Sequence, residues 1–579
     1  MPRALCVCLL IGCSVCSIAD SGNNQSQSNS PGQSGAPAAV STLPQAATNA
    51  GLAAAPGAAV PNPLGDAKAC YLKGDFEHAI EKYQQLLQER PKSPDAYAGL
   101  TRVYLKKKDV AKANETITKA LEVANSPVVR VALGEVYFRQ GKIPEAEREW
   151  VNVINAGYPN AWAYMGLARV RWALSMYKSG WSMIAKAHEM DPTDPEITGL
   201  WSRRLSRAER IKYLEESLAA ESYEDEETRA HMRQYLEYLK ARTKDPRGAC
   251  HLAGKSTSTQ TELVRLLLDP QHLRGYGLSV AVNGQKSKLL LDTGASGIMI
   301  NRNLAVKAGV HRLSDVDIRG IGDKGNRAGY LGLADSLKIG DLEFKDCPVR
   351  VLEDRSVAGE DGLIGADVFD AFLVEIDFPG EKLYLRELPK RPGEGSTNIA
   401  LHADADDSDS GSGSERPQKD DSTNTKNDSS QAPALQDRYI APEMKSWTQV
   451  YRFGHYLLVP TRIGEIPPKL FLLDTGAFSN LISTDAAREV TKVQGNSGMI
   501  VKGISGSVKN VYSADTAILQ FGHLRQENQD LTAFDMTSMS NGAGTDVSGL
   551  LGFAMLRLLD IKIDYRDGLV DFTYDPKRW

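Results

Sequence analysis

The chain has 579 residues, too many for one ordinary hydrophobic core, so its length predicts several domains. Hydrophobic residues make up 42% of the chain, the mean hydropathy is −0.33 and the formal net charge is −5. This composition is typical of a soluble protein, and it argues against a general nucleic-acid-binding protein, which would need a strongly basic face.

Residues 1–19 predict an export signal. Arg3 supplies a minimal positive charge, and residues 5–15 form an apolar core too short to span a bilayer. The tetrapeptide LIGC at 10–13 resembles a bacterial lipobox, which would make Cys13 the lipidation site and the first mature residue. Residues 17–19, Ser-Ile-Ala, also fit the cleavage rule of an ordinary signal peptidase, so both cleavage sites stay open.

Residues 20–64 are rich in Ser, Gln, Asn, Ala, Pro and Gly, and cannot bury enough apolar area to fold. A disordered tether directly after Cys13 favours the lipobox, because it would hold a folded domain away from a membrane surface. We therefore expect an exported protein of the bacterial periplasm or cell envelope, attached to the membrane only through a possible lipid anchor.

A helical pattern with a repeat begins near residue 65. Three tyrosines recur at intervals of 33 residues and three alanines follow in phase: Tyr71, Tyr104 and Tyr137, with Ala79, Ala113 and Ala146. The pattern resembles the tetratricopeptide repeat, a helix–turn–helix of about 34 residues that stacks into a solenoid. We assign residues 65–200 to these repeats and 201–261 to a helical extension and linker. The resemblance implies a concave surface for protein partners, and a spacer or oligomerisation role stays open.

Beyond the signal, the cysteines are Cys70, Cys250 and Cys347. Their spacing does not indicate a zinc site, and their number is odd, so we interpret them as buried or free thiols. The histidines, including His455, share no spacing and are interpreted as surface or core residues.

Two β-rich blocks follow, at 262–392 and 441–579, separated by an acidic, Ser- and Asp-rich stretch at 393–440 that predicts a disordered linker. The blocks are copies of each other. Their shared landmarks, in the same order and at nearly the same spacing, are DTGA at 292–295 and 474–477, a Gly-Ile turn at 320–322 and 503–506, an apolar-apolar-Gly element at 363–365 and 550–552, and Ile-Asp at 376–377 and 563–564. The sequence therefore predicts a duplicated domain.

An Asp-Thr-Gly loop at the end of an apolar strand, once in each copy, resembles the retropepsin-like branch of the aspartic peptidases. The resemblance implies an all-β acid-protease fold of two homologous halves, with Asp292 and Asp474 as the catalytic pair and without metal or cofactor. Two carboxylates about 3 Å apart cannot both ionise, so they share one proton. The charged one can then take a proton from water while the protonated one polarises a peptide carbonyl.

The resemblance also gives roles to neighbouring residues. Thr293 and Thr475 would cross-link the two loops by hydrogen bonds, while Gly294 and Gly476 would let the backbone approach the carboxylates. The Gly-Ile turns would be flaps that close over substrate, although alone they would be plain hairpin turns; their residues are Gly320, Ile321 and Gly322, and Gly503, Ile504 and Gly506.

Two departures from the pattern bear on activity. Ala295 and Ala477 follow the glycines, as in the retroviral branch, and predict a less acidic pH optimum than that of pepsin-like enzymes. Phe478 replaces the Ser296 of the first copy, which marks the second half as the place where activity could have been lost. Asp377 and Asp564 precede turns and are interpreted as structural caps.

Three interpretations stay open. The chain is an aspartic endopeptidase with its site in one molecule, or a peptidase whose halves pair with those of another molecule, or a non-catalytic scaffold that binds peptide. The expected partners are a peptide or protein substrate and proteins bound by the solenoid, with no nucleic acid.

Overall fold

A computed structural model describes residues 6–8, 12–13, 62–220, 226–245, 247–357, 359–392, 437–495 and 500–578. It confirms the predicted fold class: an all-α repeat region precedes an all-β region of two halves. Cys6–Cys8 and Gly12–Cys13 form two short strands. Most of the predicted signal, tether and acidic linker lies outside the described residues.

Eleven helices are described between residues 63 and 244. They are α1 Pro63–Leu72, α2 Phe76–Glu89, α3 Pro94–Lys106, α4 Val110–Val123, α5 Pro127–Arg139, α6 Ile143–Asn155, α7 Ala161–Ala173, α8 Tyr177–Met190, α9 Pro195–Ser202, α10 Arg207–Ala219 and α11 Glu226–Lys244. The first eight form four consecutive helical hairpins, and each hairpin packs on the next. This stacking is the solenoid that the 33-residue period predicts.

The turn inside each hairpin depends on a residue with left-handed backbone. Gly74, Lys108, Gly141 and Ser175 occupy these turns, with φ values of 75°, 64°, 73° and 59°. Glycine adopts this conformation without steric cost, whereas Lys108 and Ser175 do so against their intrinsic preference. The turn geometry is thus common to all four hairpins although the residue type is not.

Small residues let the helices approach closely. The in-phase alanines of α2, α4 and α6 are fully buried. Gly134 on α5 and Gly166 on α7 both face the indole of Trp150, whose Nε1 donates to the Val131 carbonyl at 3.1 Å. The Trp150 ring therefore occupies the space left by two absent side chains, which couples three helices of adjacent repeats.

Each half is built on a twisted sheet that carries one DTGA loop. The strands of the first sheet, in spatial order, are His311–Gly320, Arg327–Ile339, Leu342–Leu352, Ile298–Asn301, Gly362–Gly365, Gln285–Asp292, His272–Val282 and Val264–Asp269. Those of the second are Val493–Gly495, Val511–Ala514, Leu531–Phe534, Leu481–Ser483, Gly549–Gly552, Lys469–Asp474, Tyr456–Ile463, Ala517–Phe521 and Leu524–Asn528. The central five strands of each list correspond one to one, as duplication requires.

Short elements complete the halves. They are the strands His251–Leu252 and Tyr451–Phe453, the hairpin Ile500–Gly503 and Gly506–Ser507, the helices α12 Arg302–Ala308, α13 Thr484–Val490, α14 Thr537–Ala543 and α15 Phe553–Leu556, and 3₁₀ turns at Ala366–Phe369, Pro442–Met444 and Pro576–Arg578.

A third sheet of six strands joins the two halves. Its order is Thr448–Gln449, Leu569–Tyr574, Leu559–Asp564, Phe372–Asp377, Lys382–Glu387 and Thr259–Glu262. The two central strands come from different halves and pair in antiparallel fashion, with Val374 opposite Ile563 and Ile376 opposite Ile561. Because these four side chains are fully buried, the halves share one core and not merely a surface contact.

The interpretation of the cysteines was wrong for two of the three. Cys250 and Cys347 form a disulfide that spans 97 residues of sequence, whereas Cys70 is a free thiol. Spacing could not reveal this pair, because partners in a β-domain meet through the fold. The disulfide at Cys250 and the strand Thr259–Glu262 show that the first half begins before residue 262, the predicted boundary.

One carboxylate holds both ends of the acidic linker. Asp567 is fully buried, and its Oδ1 accepts from Arg391 at 2.8 Å and from the Tyr439 backbone N–H at 2.9 Å. The Arg438 guanidinium donates to the Asp567 carbonyl at 2.7 Å. Residues on either side of the linker therefore meet at one point beside the last strand.

The solenoid packs directly on the second half. The rings of Phe138 and Phe453 lie 5.8 Å apart, and the Thr545 hydroxyl donates to the Phe138 carbonyl at 2.7 Å. Trp150 shares an apolar cluster with Leu470 of the second half. The solenoid is therefore fixed against the β-region by buried contacts and not only by a linker.

We expect Gly134→Ala to destabilise the protein, because its new methyl group would lie 2.5 Å from Trp150 Nε1 and force that ring out of place. Overpacking of this kind costs about 1–3 kcal/mol. Gly199→Ala in α9 is the matched control: its methyl would meet Tyr213 Oη at 3.8 Å, so it should be neutral or stabilising by up to about 1 kcal/mol. Urea denaturation measures both, and equal effects would contradict the packing argument.

Candidate active site

The two DTGA loops begin at corresponding strand ends. Gln285–Asp292 and Lys469–Asp474 are buried apolar strands that deliver an aspartate at their last residue. A parallel neighbour runs beside each, which places Gly365 opposite Asp292 and Gly552 opposite Asp474. These neighbours are the apolar-apolar-Gly elements of the duplicated sequence. Because parallel strands are buried on both faces, the aspartates begin their loops inside the protein.

The two threonines cross-link the loops reciprocally. The Thr293 backbone N–H donates to the Thr475 hydroxyl at 3.0 Å, and the Thr475 N–H donates to the Thr293 hydroxyl at 3.0 Å. Each hydroxyl in turn donates to the carbonyl before the opposite aspartate, Leu473 at 2.8 Å and Leu291 at 2.9 Å. Four buried bonds therefore fix one loop relative to the other.

The structure brings Asp292 and Asp474 together in one fully buried pair. Their Oδ1 atoms accept from backbone N–H groups: Gly294 at 2.9 Å for Asp292, and Gly476 at 2.9 Å and Ala477 at 3.0 Å for Asp474. A Cβ at Gly294 would lie 2.8 Å from Asp474 Cγ, so glycine is required for this approach. The Oδ2 atom of each carboxylate has no hydrogen-bond donor among the described residues.

The electrostatics of the pair oppose double ionisation. Burial raises the pKa of Asp292 well above its ordinary value, and the Asp474 charge raises it further. Burial also raises the pKa of Asp474, to about 7, against the opposing effect of its backbone N–H donors. A pair with both pKa values raised retains a proton at pH values where ordinary aspartates have lost theirs.

The predicted flap residues meet above the pair. Gly320, Ile321 and Gly322 begin the turn after His311–Gly320, while Gly503, Ile504 and Gly506 form the hairpin of the second half. Ser505 joins them, since its N–H donates to the Ile321 carbonyl at 3.0 Å, its carbonyl accepts from Lys324 at 2.8 Å, and its hydroxyl accepts from the Gly320 N–H at 3.0 Å.

Each flap isoleucine reaches across to the opposite half. Ile321 shares an apolar cluster with Ala477 of the second half, and Ile504 shares one with Ala295 of the first. Both isoleucines are buried. The flaps therefore interlock, and the site beneath them is closed to bulk water in this conformation.

The Phe478 departure leaves the second loop intact. The carbonyls of Ala477 and Phe478 accept from the N–H groups of Phe553 and Ala554 at 2.7 and 2.8 Å. Asn480 supports this side through its Oδ1, which accepts from the Gly552 N–H at 2.8 Å. On the first side, the Gly297 N–H donates instead to Asp367 at 3.0 Å. The two loops thus have different outer supports and share the reciprocal threonine cross-links.

His455, interpreted from the sequence as a surface or core residue, is a core residue that lies beside the first DTGA loop. The ring is buried near the Gly294 backbone, its Nε2 has no hydrogen-bond partner among the described residues, and its pKa is lowered to about 3 by burial and by the charges of Arg350 and Arg452. It is therefore neutral at physiological pH. Neither Ser505 nor His455 carries a sequence signal of its own, apart from the position of Ser505 inside the second Gly-Ile turn.

Asp377 and Asp564 lie away from the pair. Asp377 accepts from the Gly380 N–H at 2.9 Å and Asp564 from the Asp567 N–H at 3.0 Å, so both cap the turns that follow their strands. Within the described ranges there is no group of three or more His, Cys, Asp or Glu side chains that could hold a metal ion. None of the helices in those ranges is long and apolar enough to cross a membrane.

Comparison with known proteins supports the division of the chain. Residues 278–368 and 459–555 match a family model described as aspartyl protease, and residues 71–126 match one described as tetratricopeptide repeat. The UBA domain-containing protein Mud1 of Schizosaccharomyces pombe is 34% identical over 116 residues, which cover 19% of this chain and 34% of that protein. The DNA damage-inducible protein 1 of Chaetomium globosum is 33% identical over 111 residues, covering 19% and 24%.

The chain thus spans about a third or less of these curated relatives. Among solved structures, a thermophilic TPR protein of Thermus thermophilus is 18% identical with a TM-score of 0.21, over 24% of this chain and 78% of that one. The pilF protein of Pseudomonas aeruginosa is 16% identical with a TM-score of 0.20, over 32% and 76%. According to the two family models, the chain carries a tetratricopeptide repeat segment followed by two aspartyl protease segments.

Proposed function

We propose that the chain is an aspartic endopeptidase that hydrolyses peptide bonds with water activated between Asp292 and Asp474. The observation that carries this proposal is the composite site: two buried carboxylates from two halves of one chain, held in register by reciprocal threonine hydrogen bonds. A pairing within one chain also favours the single-molecule interpretation over exchange of halves between molecules.

The geometry supports general acid–base catalysis. The paired carboxylates hold one proton between them, so the pair offers a base for water and an acid for the substrate carbonyl at the same time. Their apparent pKa values belong to the pair, so neither role is assigned to one aspartate. The interlocked flaps exclude bulk water, which strengthens the electrostatic interactions inside the site.

Asp292→Asn and Asp474→Asn should each abolish cleavage, because the neutral amide removes the shared proton and the base. Fluorescently labelled denatured casein is a suitable probe, and a loss of at least about a hundredfold in rate is expected for each variant. Asp485→Asn, on the exposed first turn of α13, is the control and should retain full activity. Retained cleavage in both single variants would leave a peptide-binding scaffold as the better description.

The pH dependence should follow the raised pKa values of the pair. Activity is expected to rise as pH rises through about 7, where the pair loses the first of its two protons and gains a base. It should fall only at the higher pH at which Asp292 loses the remaining proton. Because the folded pKa exceeds the ordinary value, the folded state binds more protons, and its stability should fall as pH rises toward 7. Asp474→Asn should flatten that decline in thermal melts. An activity optimum below about pH 3 would contradict the assignment.

We further propose export and lipid attachment at Cys13. The Cys250–Cys347 disulfide supports an oxidising compartment outside the cytosol. Mass spectrometry of the membrane-extracted protein from a bacterial host should find a lipidated N-terminal Cys13, and Cys13→Ala should release the protein from the membrane fraction. Alkylation without reduction should modify Cys70 and spare the disulfide pair. A mature chain that begins at Asp20 would instead indicate ordinary signal cleavage.

A further inference from the structure

A cavity of about 610 Å³ lies between the solenoid and the β-region. Its solenoid wall comes from the inner helices α3, α5, α7 and α9, together with the ends of their neighbours. Its other wall comes from the β-region: Ser296, the flap arm at Asp317 and Arg319, residues 452–456, and residues 542–544. The volume lies within the range of about 300–1,000 Å³ that is usual for ligand pockets.

This cavity borders the catalytic loop. Ser296 follows the first DTGA tetrapeptide directly, and His455 lies near the Gly294 backbone, against which Asp474 packs. Arg319 belongs to the strand that leads into the first flap turn. Neither catalytic carboxylate lines the cavity, so the cavity lies beside the first DTGA loop and not in the site itself.

The cavity wall is strongly cationic. Nine Arg and Lys side chains line it, against three acidic ones, Glu135, Glu196 and Asp317. Two of the acidic groups are already paired, Glu135 with Arg102 at 2.8 Å and Glu196 with Arg169. Arg452 is also paired, with Asp370 at 3.3 Å. Basic side chains still outnumber acidic ones in the wall, which favours an anionic occupant over a cationic one.

Two donors in the wall lack an acceptor. Arg139 has no hydrogen-bond or ion-pair partner among the described residues, and the neighbouring Arg169 charge adds to the unfavourable effect of its burial. Trp172 also lines the cavity. Its indole Nε1, which can only donate, is buried and has no hydrogen-bond acceptor among the described residues. The wall also holds aromatic rings, including Trp162 and Phe453. Carboxylates on a polypeptide with apolar flanking groups match this combination.

We propose that the cavity binds an acidic segment of the polypeptide substrate, so that the peptidase prefers bonds with a cluster of Asp or Glu residues a fixed distance to one side. This proposal rests on the proposed function. It gives the solenoid a role in substrate selection: the repeats and the catalytic halves recognise two parts of one extended chain. A free anion would satisfy the charge but would make no use of the position of the cavity beside the first DTGA loop.

Binding is tested without catalysis in the Asp292→Asn protein. A fluorescein-labelled hexaglutamate peptide should bind in an anisotropy titration, more weakly at high salt, while the hexaglutamine peptide should not bind. Arg139→Glu should weaken hexaglutamate binding about tenfold, and Arg139→Gln should weaken it less. Arg148→Glu, on an exposed face of α6 outside the cavity, is the matched charge reversal and should bind as the parent does.

Cleavage specificity is tested with a peptide library made from a digested proteome. Mass spectrometry should find Asp and Glu enriched at one offset from the cut in the unaltered enzyme and in Arg148→Glu, but not in Arg139→Glu. Circular dichroism confirms that each variant folds, and Arg139→Gln replaces Arg139→Glu if the latter does not.

The outcomes separate the two proposals. Cleavage without acidic enrichment, or hexaglutamate binding unchanged by both Arg139 variants, overturns the cavity proposal and leaves the peptidase standing. Salt-sensitive hexaglutamate binding that depends on Arg139, together with no cleavage by the unaltered chain, supports the anion site and overturns the peptidase.

Discussion

The desolvation of two adjacent carboxylates is the constraint on which the rest of the β-region depends. Burying one aspartate is costly, and burying a second beside it is costlier still, unless the pair keeps a proton and the surrounding backbone supplies donors. The glycine N–H groups, the threonine cross-links and the paired strands beneath the loops all maintain that arrangement. The shared core of the six-stranded sheet then resists the separation of the two halves.

Much of the fold and of the paired site could be predicted from the sequence. The Tyr71, Tyr104 and Tyr137 spacing indicated the repeat, because helical hairpins impose a fixed length on each unit. Two copies of DTGA with shared landmarks indicated the two halves and the residues at their junction. Local rules also sufficed for Asp377 and Asp564, whose position before a turn predicts a cap. These features can be predicted because each depends on a pattern in a short stretch of chain.

The remainder depends on contacts that sequence does not encode locally. Cys250 and Cys347 are 97 residues apart and meet only through the first sheet. His455 approaches Gly294 of the first DTGA loop from a turn of the other half, and Ser505 matters because it is hydrogen-bonded to Ile321 of the opposite flap. The cavity wall combines residues from the solenoid and from both halves. Such features follow from how domains pack, which no single motif specifies.

The anchorage of Arg391 and Tyr439 on Asp567 has a consequence for how this chain can change over evolution. Since the two ends of the acidic segment are already held together, lengthening it adds only the slowly growing entropy of closing a longer loop, about 0.6 kcal/mol for each doubling. Insertions there leave the spacing of the two halves unchanged. The segment is thus a site where new sequence can accumulate while the geometry of the Asp292–Asp474 pair stays constant.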